Sequence, residues 1–344
     1  MSKMFKAAIL AEINKPLKLV NLFHIDPSEY QVKIKMLTSG LCGAQVNEIS
    51  GKKGFDKYLP HLMGHEGYGI VVSVGKGVSK VKTGDHVILH WRPSMGFDSA
   101  PIKYESDDGC LYGAGPITTF SEFSIVSENR CTKINAPKLE LMNIYPLVGC
   151  ALSTSWGAIK KESVFDPRKR ILIFGAGGLG LSLLFWTNLF HTDHQVYVVD
   201  IHESKAKLVK ALNGQFITSK NLTLELGKFD LIFETTGAPE SINSALEYAN
   251  KQSEICLIGQ TAINQPVTFS NFSNIYEGIK MFSSQGGCFD PDQDIQKVLN
   301  DVEKNKALAS TLVSHIISLD EVNYGFNIMK DPEAGRVIIN FNNA

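Results

Sequence analysis

Arg170–Phe190 reads RILIFGAGGLGLSLLFWTNLF, and shortly after it Gln195–Asp200 reads QVYVVD. The first stretch is an apolar strand, a glycine turn and then a helix of about ten residues. Gly175, Gly177 and Gly180 fit the G-x-G-x-x-G spacing, and Asp200 ends the next strand twenty residues after Gly180. Gly175 permits the tight turn, Gly177 lets backbone approach a pyrophosphate, and Gly180 lets the helix lie close on the strand. Gly178 and Leu179 complete the turn and are read with them as cofactor-contacting positions. The helix N-terminus offers free N–H groups and a positive dipole end to phosphates. Asp200 would accept hydrogen bonds from ribose hydroxyls and repel a 2′-phosphate, which favours NAD(H) over NADP(H). The alternative is a generic strand-turn-helix with a solvated aspartate, which the three-part spacing disfavours. Lys205 reads either as a neighbour of the adenosine ribose or as a plain surface lysine.

Outward from this stretch, strands and helices alternate through FDLIFETTG, PESINSALEYAN and SEICLIG. Nearly all-apolar strands separated by helices indicate a parallel sheet covered on both faces. Upstream the texture differs. VKIKML, GIVVSVG, GDHVILHW and TFSEFSIV are short β-rich runs with turn chemistry between them. The tail from Asp290 returns to helix and strand and closes with GRVIINF. The predicted fold class is therefore α/β: a doubly wound parallel-sheet (Rossmann) domain over residues 152–284, set within a β-rich domain made of residues 1–151 and 285–344. A chain of 344 residues is long for one core, in keeping with two domains.

A net charge of −1 gives no electrostatic case for nucleic acid or an anionic membrane as partner. No run reaches a membrane-spanning length, and the start, MSKMFKAAILAEINKP, alternates rather than forming a signal-peptide apolar block. The six cysteines, at 42, 110, 131, 150, 256 and 288, are scattered, unlike a secreted disulfide framework. A reducing, cytoplasmic setting is the expectation.

Among those cysteines, Cys42 lies in SGLCG and Cys150 in LVGCALSTSWGAI, while LMGHEGYGIVVSVGKGV holds His65 and Glu66. Two thiolates and an imidazole make a three-point zinc site with a fourth position open to water or substrate, the mark of a catalytic rather than structural zinc. Each residue also has a plainer reading: Cys42 and Cys150 as packing, His65 as a satisfied core histidine beside a solvated Glu66.

Gly64, His65, Glu66, Gly69, Gly75 and Val78 stand in a G-H-E-x-x-G-x5-G-x2-V pattern followed by GDHV, and TFSEFSIV and ETTGAPES are further landmarks. By these residues the sequence resembles the zinc-dependent medium-chain alcohol/polyol dehydrogenase superfamily over essentially its whole length. The resemblance implies that the β-rich part is GroES-like and catalytic. It implies Cys42, His65 and Cys150 as ligands of one Zn2+, Glu66 as an alternate or transient ligand, and Thr154 packed on the nicotinamide. Arg336 in GRVIINF matches a position that in some members reaches the cofactor pyrophosphate; a strand-end surface arginine is the rival reading. Trp91 and Phe120 match positions lining the substrate cleft of relatives. A homodimer or homotetramer is the expected assembly.

The chain departs from the family in several places. The segment where many members hold a structural zinc with four cysteines has only Cys110, so no structural zinc is expected. Ala44 stands where the family has a relay hydroxyl, with Asn47 further along the usual proton route. Gln45 stands where an aspartate usually orients the histidine ligand, and could accept the same hydrogen bond through its amide oxygen. His90 and Arg92, flanking Trp91, suit a polyol, sugar or anionic substrate. The expected function is zinc-dependent hydride transfer between NAD(H) and a small-molecule alcohol, with a polyol, sugar or sugar phosphate as the favoured substrate. The rivals are a zinc-free NADPH-dependent quinone or carbonyl reductase of the same superfamily and a non-catalytic NAD-binding protein.

Overall fold

The alternating upstream runs become strands because β-branched and aromatic residues recur on one face while turn residues separate them. In the computed structural model, which describes residues 4–163, 169–190 and 196–342, the chain divides into two compact units. The first comprises Met1–Cys150, Asp290–Lys306 and Val313–Ala344; the second comprises Ala151–Phe289 and Ala307–Leu312. Of the N-terminal run the first three residues lie outside the described residues, as does Gln195 of the strand read at Gln195–Asp200.

The first unit opens with β1 (Met4–Leu10), β2 (Lys18–Phe23), β3 (Gln31–Gly40) and the short helix α1 (Gly43–Ile49). It continues through β4 (His61–Leu62), β5 (Glu66–Val74), β6 (His86–His90), β7 (Lys103–Glu105) and β8 (Leu111–Gly113). β9 (Phe123–Ser127), β10 (Cys131–Lys133) and α2 (Tyr145–Val148) complete this part. One sheet has the order β2-β1-β4-β8-β7. In the other, β3 is central. It pairs antiparallel with β5 along most of its length and with β9 at its start, and β5 pairs antiparallel with β6. Alternation holds in β1, where Phe5, Ala7 and Ile9 enter one core with Leu22, Leu62 and Tyr104.

The second unit begins with α3 (Ala151–Gly157), then β11 (Ile171–Phe174), α4 (Gly178–Phe190), β12 (Val196–Asp200), α5 (Ala206–Ala211) and β13 (Gln215–Thr218). β14 (Phe229–Glu234), α6 (Pro239–Glu247), β15 (Ala249–Leu257) and β16 (Lys280–Ser283) follow. Its sheet runs β13-β12-β11-β14-β15-β16 with every pairing parallel, the 3-2-1-4-5-6 order of a doubly wound dinucleotide fold. All four residues of β11 are buried, which explains its unbroken apolar sequence. α4 is buried along most of its length, and its Trp186 indole N–H donates to the Leu152 carbonyl at 2.9 Å.

The chain then returns to the first unit through α7 (Pro291–Lys304), β17 (Val313–Ile317) and β18 (Arg336–Asn340). α7 starts where Asp290 accepts from the backbone N–H groups of Asp292 and Gln293 and Pro291 fixes the first turn. Ile295, Val298, Leu299 and Val302 form its buried stripe, at helical spacing. β18 enters the larger sheet between β3 and β17, antiparallel to the first and parallel to the second. Among the described residues, no helix is long and apolar enough to cross a membrane.

Candidate functional site

In the second unit the glycine turn has the geometry its sequence requires. Gly175 sits at φ +95°, and a Cβ on Gly180 would stand 1.8 Å from the Gly175 carbonyl oxygen, so only glycine allows α4 to close on β11. The space around Gly177 is open. Gly178 and Leu179 form the first turn of α4, whose first hydrogen bond runs from the Leu181 N–H to the Gly177 carbonyl at 2.9 Å. Asp200, at the end of β12, ties the turn down: one carboxylate oxygen accepts from Ala176 N–H at 2.8 Å and the other from His202 N–H at 3.0 Å. Lys205 is buried, 8% exposed, rather than spread over the surface. Thr154 is buried in α3.

In the first unit, four neighbouring strands end at one edge of the larger sheet. Because β6, β5, β3 and β18 are successive and antiparallel, the residues after β6 and β3 meet those at the starts of β5 and β18. Sequence distance therefore ceases to matter at this edge, where Trp91, His65, Glu66, Cys42 and Arg336 gather. Cys150 comes from the turn after α2, which packs on β3, β5 and β6. The ligand atoms of Cys42, His65 and Cys150 lie within 4.8 Å of one another. Cys42 is the N-cap of α1.

The two thiols are hydrogen-bonded to each other. The hydrogen bond with Cys150 holds Cys42 well below the ordinary thiol value, helped by His65 and by the charge of Arg336. The same hydrogen bond pushes Cys150 well above it, and the Trp91 indole, donating to Cys150, works in the opposite direction. Two sulfurs and an imidazole, one sulfur already favouring the thiolate, are the donor set a soft divalent cation uses.

Glu66 and Arg336 form a buried ion pair, 0% and 4% exposed. Arg336 is thus no surface residue: its guanidinium meets Glu66 and Cys42 within the first unit. Burial lowers its pKa and the Cys42 charge opposes that shift. Glu66 Oε2 and Arg336 Nε are buried without a hydrogen-bond partner. Phe120 is wholly buried in a core with Leu10, Met63 and Phe326, edge-on to the last at 6.1 Å.

The polar flank read beside Trp91 needs correcting for His90. Its Nδ1 bonds the Arg92 carbonyl at 2.6 Å and its Nε2 the Thr132 hydroxyl at 3.0 Å, and Thr132 in turn bonds Asp292 at 3.0 Å. Strand alternation turns His90 into the core while its neighbour Trp91 faces the thiols. Cys110 is an exposed residue beside β8.

Comparison with known proteins places these two sites in context. Residues 28–136 match the model of the alcohol dehydrogenase GroES-like domain, and residues 178–304 match that of the zinc-binding dehydrogenases, together more than half of the chain. The chain belongs to the zinc-dependent medium-chain dehydrogenase superfamily. It is 27% identical over 367 residues to alcohol dehydrogenase 6 of Peromyscus maniculatus, covering 97% of each chain. Its fold resembles benzyl alcohol dehydrogenase from Acinetobacter calcoaceticus, with a TM-score of 0.87, 21% identity and coverage of 98% and 99%. It also resembles an alcohol dehydrogenase of Escherichia coli CFT073 complexed with NADH, with a TM-score of 0.78, 19% identity and coverage of 99% and 100%.

Two residues of this medium-chain dehydrogenase have roles at the sites that its sequence did not reveal. Glu234, fully buried at the end of β14, accepts from the N–H groups of Thr236 and Gly237 and from the Thr236 hydroxyl. Burial raises its pKa. It shapes the turn against which Gly175 packs, since a Cβ on Gly175 would meet Thr235 and Thr236 at 2.7 and 2.8 Å. Gln45 was expected to serve His65 with its oxygen. Instead that oxygen accepts from the Cys42 N–H at 2.7 Å, and the amide nitrogen faces His65 Nδ1 at 3.0 Å.

Proposed function

We propose that this chain is a zinc- and NAD(H)-dependent alcohol dehydrogenase, its first unit holding one zinc ion and its second the dinucleotide. The observation that carries the reading is the convergence of Cys42, His65 and Cys150 from three separate segments. Donor atoms of a tetrahedral zinc site stand roughly 3.5–4 Å apart, inside the 4.8 Å limit of this group, and a two-thiolate, one-imidazole set leaves the fourth position open. Glu66, read as an alternate ligand, is not among the donor atoms of this group and is held instead by Arg336. Bound there, zinc supplies Lewis acidity toward a carbinol or carbonyl oxygen, and NAD(H) supplies the hydride acceptor or donor.

This chain's own residues hold and orient. Cys42 and Cys150 would hold the metal as thiolates, their protons released to solvent, and Trp91 would fix the Cys150 sulfur. Arg336 holds the Glu66 carboxylate in place. In the second unit, Asp200 and the open face of Gly177 favour a dinucleotide without a 2′-phosphate, while Thr154 packs on the nicotinamide and Lys205 backs the ribose. Ala44 offers no hydroxyl to carry the substrate proton away, so a hydroxyl vicinal to the reacting carbon would serve in its place. A polyol or sugar-like alcohol is therefore the preferred substrate class.

Elemental analysis of the purified protein tests the core of this reading, with about one zinc per chain expected and loss of it in Cys42→Ser and Cys150→Ser. Full zinc and full NAD+-dependent alcohol oxidation in either variant would remove the assignment.

A further inference from the structure

We infer that Gln45 holds His65 in the tautomer a metal cannot use, so that this chain's own buttress weakens its zinc site. The inference rests on the metal-centre reading of Cys42, His65 and Cys150. It starts from hydrogen-bond valence. A glutamine side chain has one oxygen that accepts and one NH2 that only donates. Gln45 is 1% exposed, so water does not stand in for a missing partner. Its oxygen is committed to the Cys42 N–H at 2.7 Å, the reciprocal half of a capping box at the start of α1. Its NH2 lies 3.0 Å from His65 Nδ1. A donor at that distance makes Nδ1 the bare nitrogen and puts the ring proton on Nε2. Both contacts of the Gln45 amide are then satisfied.

Zinc reverses the requirement. A ligating imidazole is neutral and coordinates through a lone pair, so the nitrogen turned to the thiols must lose its proton. Nδ1 faces Gln45, which leaves Nε2 for the metal and moves the proton to Nδ1. The Nδ1–H then points at an NH2. Turning the amide over repairs that end and breaks the other, because the NH2 would face the Cys42 N–H. Two donors compete for one oxygen whichever way the amide lies, and the outcome does not depend on its assigned orientation. A carboxylate in this position has two accepting oxygens and serves both donors. Gln45 is thus a positioning residue whose chemistry favours the metal-free site. Outer partners of this kind typically change metal affinity about 10–100-fold.

Gln45→Glu is the near-isosteric test. Zinc affinity is measured by competition of Zn2+ with a chromophoric chelator in reducing buffer, for the wild type, Gln45→Glu, Cys150→Ser and the double variant. Gln45→Glu should bind zinc about 10–100-fold more tightly, and the gain should vanish with Cys150→Ser. Zinc lost in Cys150→Ser while Gln45→Glu matches or falls below the wild type overturns the inference alone. Zinc binding that Cys150→Ser leaves unchanged overturns the metal-centre reading and the inference with it. The wild type supplies a second test that needs no folded Gln45 variant: 15N spectra of histidine-labelled, metal-stripped protein at pH 8, with His65 assigned by its loss in His65→Asn. Nδ1 should appear as the unprotonated nitrogen and become protonated on addition of Zn2+. A protonated Nδ1 in the stripped protein overturns the inference.

Discussion

Replacing Arg336 with methionine isolates the energetic role of the buried ion pair. The substitution keeps much of the side-chain volume and removes the guanidinium, leaving the Glu66 carboxylate, 0% exposed, with no compensating charge. Breaking a buried pair from one side typically costs about 3–5 kcal/mol. In a unit of this size each kcal/mol moves the midpoint by about 2–4 °C, so a drop of roughly 6–20 °C is expected. Removing both charges, in Arg336→Met with Glu66→Gln, should cost less than Arg336→Met alone, because no isolated carboxylate remains. Calorimetry on the metal-stripped, reduced proteins measures all three variants without contribution from bound zinc. A single variant within about 1 kcal/mol of the wild type, or a double variant whose cost equals the two single costs added, refutes the reasoning.

Asp200→Ala should weaken NADH binding by about 10–100-fold, since hydrogen bonds to a charged group are lost, and should narrow the preference over NADPH. Fluorescence titration with both cofactors measures it, and equal wild-type affinity for the two would count against the role given to Asp200. Burial lowers the pKa of His90 from 6.5 to about 3, opposed by the Arg92 carbonyl and Asp292 and reinforced by Lys80 and Arg130. The folded protein therefore keeps His90 neutral where the unfolded chain takes up a proton. Stability should fall as pH drops from about 6.5 toward 3, by up to about 1.4 kcal/mol per pH unit from this group. Urea midpoints at pH 7 and pH 5 should show a smaller difference in His90→Gln than in the wild type. Ala44→Ser should raise kcat/KM for monohydric alcohols more than for vicinal diols, by up to about 10²-fold, because it restores a relay hydroxyl. Equal effects on matched substrates would remove the argument for a polyol.

The parallel-sheet half was legible as a fold because its signal is local. Strand, glycine turn, helix and Asp200 lie within one stretch, and the hydrogen bond from Ala176 N–H to Asp200 joins residues already paired by the motif. The candidate ligands were legible as residue types. Their neighbours were not. Arg336 meets Glu66 across 270 positions, and only the pairing of β18 with β3 puts them at one edge. His90 and Trp91 are adjacent in HWRPS, and which of them faces the thiols follows from the register of β6 on β5, which composition does not encode. Gln45 was recognised as standing in for an aspartate, but the claim of the Cys42 N–H on its oxygen is a tertiary fact that reverses its expected service to His65.

The insertion of β18 between β3 and β17 also sets an order of events at the ribosome. β3, β5 and β6 emerge early and can pair, and most of the parallel-sheet unit, Ala151–Phe289, is synthesised next. The strand that joins the larger sheet from its other side, with the cation that neutralises Glu66, arrives only after that second unit has been made. Until then Thr38, Ser39 and Gly40 at the end of β3 lack their β18 partners, and Glu66 and Cys42 lack their arginine. The closed edge of the larger sheet, and the cation beside Glu66, thus depend on the last strand to be made.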